Sequence, residues 1–173
     1  MLEKVRIKLV LFTEEHFQAI FADDMPRLGK ALDVNTPETW TEYKDAMDAL
    51  PVFYKWFHEL GPENPWGSYF IVHRMDKELI GTGGYKGNPT EDAIVEIGYE
   101  IRKSYRNLGL ATETVSILVN MAFSNPGIRA VCAHTLAADN ASASVLKKNG
   151  FTAVGTVTDP QDGEVCRWIL NRQ

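Results

Sequence analysis

The stretch richest in chemistry is Glu100-Ile101-Arg102-Lys103-Ser104-Tyr105-Arg106-Asn107-Leu108-Gly109-Leu110-Ala111-Thr112. Alternating residues precede it and apolar residues at helical spacing follow it, so it joins a strand end to a helix start. The first turn of a helix has free N–H groups and a positive dipole end, which together attract anions. Gly109 and Ala111 are small enough for the backbone to approach a phosphate, and Arg102, Lys103 and Arg106 add positive charge. Physically this is a pyrophosphate cradle. A glycine at such a junction also serves turn geometry alone, and the residues by themselves leave that reading open.

Other chemistries are excluded by spacing. Gly29-Lys30 is followed by Ala31 without P-loop spacing, and no GxGxxG follows a strand. His58-Glu59 lacks a second histidine four residues on, and there is no GxSxG elbow. Cys132 and Cys166 form no CxxC and sit in apolar, strand-like stretches, which rules out a disulfide scaffold or zinc ribbon and predicts buried thiols. No metal is expected. The 18 Lys+Arg against 23 Asp+Glu give a net charge of −5, which argues against broad nucleic-acid binding. No apolar run approaches the roughly 20 residues of a spanning helix, and the start is not signal-like. A cytoplasmic protein without a membrane partner, one domain over residues 1–173, is the expectation.

The elements that must position the cradle follow from period and punctuation. Residues 5–11 read as a first strand, and Thr13 caps a helix carrying Phe17, Ile20 and Phe21, with Pro26 and Gly29 closing that region. Thr36-Pro37 opens a second helical stretch, interrupted at Pro51 and ended by Gly61-Pro62. Its Trp40, Tyr43 and Trp56, with Trp66 and Tyr69 beyond, could line an acceptor pocket, though core packing is the expectation for most. Residues 68–74 and 79–86 form a hairpin, in which Gly81, Gly83 and Gly84 imply a bulge or a close backbone approach. Residues 93–102 are a third strand. A helix lined by Val115, Leu118, Val119, Ala122 and Phe123 follows, then a strand (128–136), a helix (141–148) ended by Gly150, and two strands (152–158 and 165–170). The order β-α-α-β-β-β-α-β-α-β-β indicates an α/β fold with a mixed sheet and helices on both faces.

Arg106-x-x-Gly109-x-Ala111 resembles the acetyl-CoA loop of the GNAT N-acetyltransferases. The flanking Val95-Glu96-Ile97-Gly98-Tyr99-Glu100-Ile101 and Gly109-Leu110-Ala111-Thr112-Glu113 resemble the RimJ/RimL-like branch. A second block, Asn140-Ala141-Ser142 with Val145-Leu146 and Lys148-Asn149-Gly150-Phe151, resembles that branch's Asn-x-Ser helix and Lys-x-Gly-Phe ending. The likeness is good from about Trp66 onward. It implies a mostly antiparallel sheet of six to seven strands. The strand ending near Arg102 and that of residues 128–136 should be parallel neighbours that splay around the cofactor. The pantetheine arm would then bond to Tyr99, Glu100, Ile101 and Arg102, and the pyrophosphate to the N–H groups of Asn107, Leu108, Gly109, Leu110, Ala111 and Thr112.

The implied reaction is direct acetyl transfer from acetyl-CoA to a primary amine, of a small molecule or a protein N-terminus. An ammonium cannot attack, so a base must take its proton; a lysine amine titrates near 10.4 and an α-amine at about 7.7–8.0. The resemblance places Glu96 as that base, with Glu100 the other candidate. No Tyr follows Tyr105 to protonate the leaving thiolate, so Ser142 is the candidate acid and Asn140 positions the cofactor or the serine. A backbone N–H near Tyr99 would stabilise the oxyanion. The plain alternatives are a solvated strand residue for Glu96 and helix-capping roles for Ser142 and Asn140. A non-catalytic acyl-CoA-binding module is the rival, and a nucleotide or phosphate-ester binder a weaker one. Either a monomer or a homodimer is expected.

Overall fold

The computed structural model describes residues 5–137 and 140–173. The chain runs β1 (Ile7–Leu11), α1 (Glu14–Phe21), α2 (Met25–Leu32), α3 (Lys44–Leu60), β2 (Ser68–His73), β3 (Glu78–Tyr85) and β4 (Ile94–Ile101). A 3-10 turn (Lys103–Tyr105) leads to α4 (Leu110–Ser124), β5 (Ala130–Leu136), α5 (Asn140–Lys148), β6 (Thr152–Asp159) and β7 (Gly163–Asn171). The seven strands form one sheet in the order β1-β2-β3-β4-β5-β7-β6. Among the described residues its one parallel pair is β4–β5, so the expected mixed, mostly antiparallel α/β architecture is the one observed. Among the described residues no helix is long and apolar enough to cross a membrane.

Strand alternation gives the sheet two apolar faces. On one, Val115, Leu118 and Ala122 of α4 and Leu146 of α5 pack on Val95, Ile97 and Val131. On the other, Phe17, Leu28 and Leu50 of α1–α3 pack on Phe70 and Leu79. Trp40, Trp66 and Tyr69 are buried in these cores. Cys132 is buried, Cys166 is partly so, and both are free thiols.

The helices before β2 differ from the sequence reading. Pro26 and Gly29, read as closing a helix, lie inside α2: proline in a first turn removes no helical bond, and Asp24 caps that turn by accepting from Arg27 N at 3.0 Å. Gly29 is needed for packing, since a Cβ there would lie 3.1 Å from Thr36 Cα. The helix expected from Thr36 begins only at Lys44 and carries Pro51 inside it. Residues 36–43 are held instead by side-chain bonds: Thr39 Oγ1 donates to Thr41 O at 2.9 Å, and Thr41 Oγ1 accepts from Tyr43 N at 3.1 Å.

Two strand irregularities shape the site. The β2–β3 register slips between Ile71 and Val72, and next to the slip a Cβ on Gly81 would fall 2.0 Å from Glu100 O. The bulge and the close approach inferred from these glycines are thus both present. The β4–β5 ladder contains only Ile94–Ala130, Val95–Val131 and Glu96–Cys132. Beyond it β4 stays paired to β3 and β5 to β7, so the two strands diverge. Lys86 N donates to Glu96 O at 2.9 Å and Arg102 N to Ile80 O at 2.7 Å. Even-numbered residues of β4 therefore bond toward β3, while Ile97, Tyr99 and Ile101 turn their peptide groups into the split.

Candidate active site

The loop after β4 ends in two left-handed residues, Asn107 (φ 59°) and Gly109 (φ 77°), and Gly109 is the N-cap of α4. The first intrahelical bond is Glu113 N to Gly109 O at 3.1 Å. The N–H groups of Leu110, Ala111 and Thr112 are consequently those of an open first turn. They border a cleft of about 580 Å³ that Tyr99, Ile101 and Arg106 also line and that Ser142 and Lys148 of α5 close. Glu100, Asn107 and Gly109 lie along it too, whereas Arg102 and Leu108 lie outside its lining. Asn140 is the first residue of α5, and its side chain lies outside the described residues.

Two supports of the loop act through partners on distant elements. Arg6, just before β1, donates from its N and Nε to Glu113 at 2.6 and 2.9 Å and from Nη1 to Leu108 O at 2.8 Å. A contact across 107 positions leaves no local pattern. Arg6→Met is expected to leave the fold intact and weaken binding of the anionic ligand by about 3- to 10-fold, the worth of roughly one hydrogen bond, as read by titration calorimetry. Tyr43 is the second support. Its hydroxyl donates to Ile101 O at 2.5 Å and receives a bond from Arg106, whose guanidinium carbon sits 5.6 Å from the ring centroid. The basic residues thus brace the cleft. Arg106 holds Tyr43, Arg102 donates to Thr39 O, and Lys103 N donates to Glu42 at 3.0 Å.

On the other side of the split is a second depression of about 500 Å³, lined by Glu96, Lys86, His134, Asp159, Tyr99 and Ser142. Tyr99 and Ser142 border both spaces, so the two meet there. Period two puts Glu96 and Glu100 on one face of β4, but their surroundings push them apart. Burial alone would raise the Glu96 pKa. Lys86 Nζ at 2.6 Å and His134 Nδ1 at 2.9 Å, both on Oε1, outweigh it and hold the carboxyl below the usual range. Glu100 is pushed up, by burial first, with Asp45 and Glu42 adding to the effect against the bonds from Thr41 (2.6 Å) and Thr82 (3.0 Å).

Glu100 carries a pH prediction. A group whose pKa is raised by folding stabilises the fold below its unfolded value and loses that contribution as pH rises through the folded value. Glu100→Gln should therefore gain thermal stability over the native chain progressively from about pH 4 toward neutrality, with little difference at the acid end. Parallel melting curves at several pH values would check this.

A split parallel pair, an open helix N-terminus along one side and, on the other, a carboxylate held below its usual range are thus brought together at one place. The chain belongs to the family described as acetyltransferase (GNAT) domain, whose model matches residues 6–152. It is 30% identical over 161 residues to the uncharacterized N-acetyltransferase YoaA of Bacillus subtilis, covering 91% of this chain and 85% of that one. Its fold is similar to that of the aminoglycoside acetyltransferase AAC(6')-Ib in complex with ribostamycin and coenzyme A (TM-score 0.67, 20% identity, 97% and 94% of the two chains). It is equally similar to the ribosomal α-N-protein acetyltransferase RimL in complex with coenzyme A (TM-score 0.67, 15% identity, 97% and 95%).

Proposed function

We propose that this protein transfers an acetyl group from acetyl-CoA to a primary amine, in a ternary complex in which the amine attacks directly. The observation that carries the reading is the junction of the two spaces at Tyr99 and Ser142, with the open first turn of α4 on one side and Glu96 on the other. The residues suit the cofactor. The N–H groups of residues 107–112 would hold the pyrophosphate, and the peptide groups of Tyr99 and Ile101 would pair with the pantetheine arm. A hydrogen bond to a charged group contributes roughly 1.5–3 kcal/mol, so several can replace a P-loop lysine. The bound thioester supplies an activated acyl carbon.

The remaining roles fall to this chain's side chains. Glu96, kept ionised, draws the acceptor ammonium and drives removal of its proton. It is better placed than Glu100, whose carboxyl is engaged by two threonine hydroxyls. Ser142, bordering both spaces, supplies the proton to the departing sulfur, and Asn140 precedes it in the same helical turn. The RimJ/RimL-like motifs and the likeness to RimL favour that branch of the family, with the acceptor a protein α-amine or a small-molecule amine.

The test is amine acetylation and cofactor hydrolysis by the native chain, Glu96→Gln and Ser142→Ala over a broad amine panel. Acetylation by the native chain that falls in both variants is the expected result. Acetyl-CoA binding without turnover on any amine would replace this reading with that of a non-catalytic acyl-CoA-binding module.

A further inference from the structure

We infer that His134 is the group that receives the acceptor's proton, with Glu96 positioning it from behind. The inference deepens the acetyltransfer reading and rests on it. His134 lies on β5 two residues beyond Cys132, the last residue paired with β4, and projects on the same strand face as Cys132. Its Nδ1 is 2.9 Å from Glu96 Oε1, and its ring lines the depression that also contains Tyr99 and Ser142. The same Oε1 accepts from Lys86 Nζ at 2.6 Å. A carboxylate oxygen shared by an ammonium and an imidazole is a weak proton acceptor, consistent with the lowered pKa of Glu96. It is well suited to a different task. A carboxylate on Nδ1 fixes the tautomer that carries its hydrogen there, which leaves the Nε2 lone pair to take a proton from an amine in the depression. Imidazole is also the side chain whose ordinary titration lies nearest neutrality, where a general base is most effective.

The proton count closes. The acceptor ammonium gives one proton to Nε2, and its nitrogen then bonds to the acyl carbon as the carbon–sulfur bond breaks. A second N–H proton ends on the sulfur by way of Ser142, and the imidazolium returns its proton to solvent. Among the described residues, the charged and titratable groups facing the ring are Glu96 from β4, Lys86 just after β3, and Asp159 and Asp162 at the β6–β7 turn. Arg167, its register partner on β7, and Cys132 on its own strand complete them.

The experiment is the pH dependence of kcat/KM for the best-turned-over amine of a panel that includes a short peptide α-amine, for the native chain, His134→Gln and Glu96→Gln. Calorimetry of CoA binding serves as a control for folding. His134→Gln should lose about 100-fold or more in rate at neutral pH. It should also lose the acidic limb of the profile, with CoA affinity unchanged within about two-fold. In Glu96→Gln the rate should fall while the acidic limb remains, because the imidazole is still present but no longer held by its carboxylate. A His134→Gln enzyme that keeps its acidic limb, or stays within about three-fold of the native rate, overturns the proposal. Imidazole nitrogen NMR of the native chain decides the matter if that variant fails to bind CoA or no amine is acetylated. A neutral ring with its hydrogen on Nδ1 supports the role, and an Nε2–H tautomer overturns it. Absence of turnover in the native chain would count against the acetyltransfer reading alone, since the ring's tautomer is read without it.

Discussion

Glu96→Gln is expected to cut acetyl transfer by about 10²- to 10⁴-fold, the worth of the anion that orients a proton-accepting imidazole, while CoA binds as before. The reason is charge as well as geometry. Glu96 accepts from both Lys86 and His134 through Oε1. Glutamine has no charge to stabilise an imidazolium, and an amide nitrogen turned toward His134 would favour the wrong ring tautomer. The fold should tolerate the change, because the side chains of Glu96 and Lys86 are 27% and 51% exposed and solvent can take over the lost bonds. CoA binding should be spared, since Glu96 lines one depression and the open turn of α4 lies along the other space. A stopped-time assay beside a CoA titration reads both halves of the prediction: turnover lost, affinity kept.

Gly109→Val should act in the opposite sense, abolishing cofactor binding first. Gly109 holds φ 77°, where an L side chain costs roughly 1–2 kcal/mol and a β-branched one more. The added Cβ itself would make only an ordinary 3.4 Å contact with the Arg6 guanidinium, so the cost lies in the backbone. Relief requires the turn to leave its left-handed conformation, which re-aims the N–H groups at the start of α4. CoA affinity should fall by at least about 100-fold for valine and by about 5- to 30-fold for alanine. Melting temperature should fall by roughly 2–4 °C for each kcal/mol of that strain, since Leu110, the next residue, is buried.

How much of this was legible in the sequence depended on how local the signal was. The strand-to-helix junction of residues 102–112 could be read because it combines a strand end, small residues and a helix start. The glycines at 81, 83 and 84 were informative because glycine in a strand needs a reason, here the Glu100 carbonyl. Helix α2 was missed because Pro26 and Gly29 act as breakers in most contexts, and only the Asp24 cap and the tight packing on residues 34–36 make them helical. Segment 36–43 carries a helical pattern, yet its threonines and Arg102 tie it across the end of β4. Arg6, Tyr43 and His134 work through partners on distant elements. Of these, only His134 had a faint local mark, a polar residue within the apolar run Ala130–Leu136.

The central claim is that this chain moves an acetyl group from acetyl-CoA to an amine, and the most direct measurement is thiol release from acetyl-CoA with and without an added amine. A panel of a diamine, an aminoglycoside and a short peptide α-amine covers the acceptor classes in play. The account predicts release that depends on at least one of these amines, matched by acetylated product and lost in Glu96→Gln. Release that is indifferent to every amine, or no release at all from a chain that binds acetyl-CoA, would contradict it.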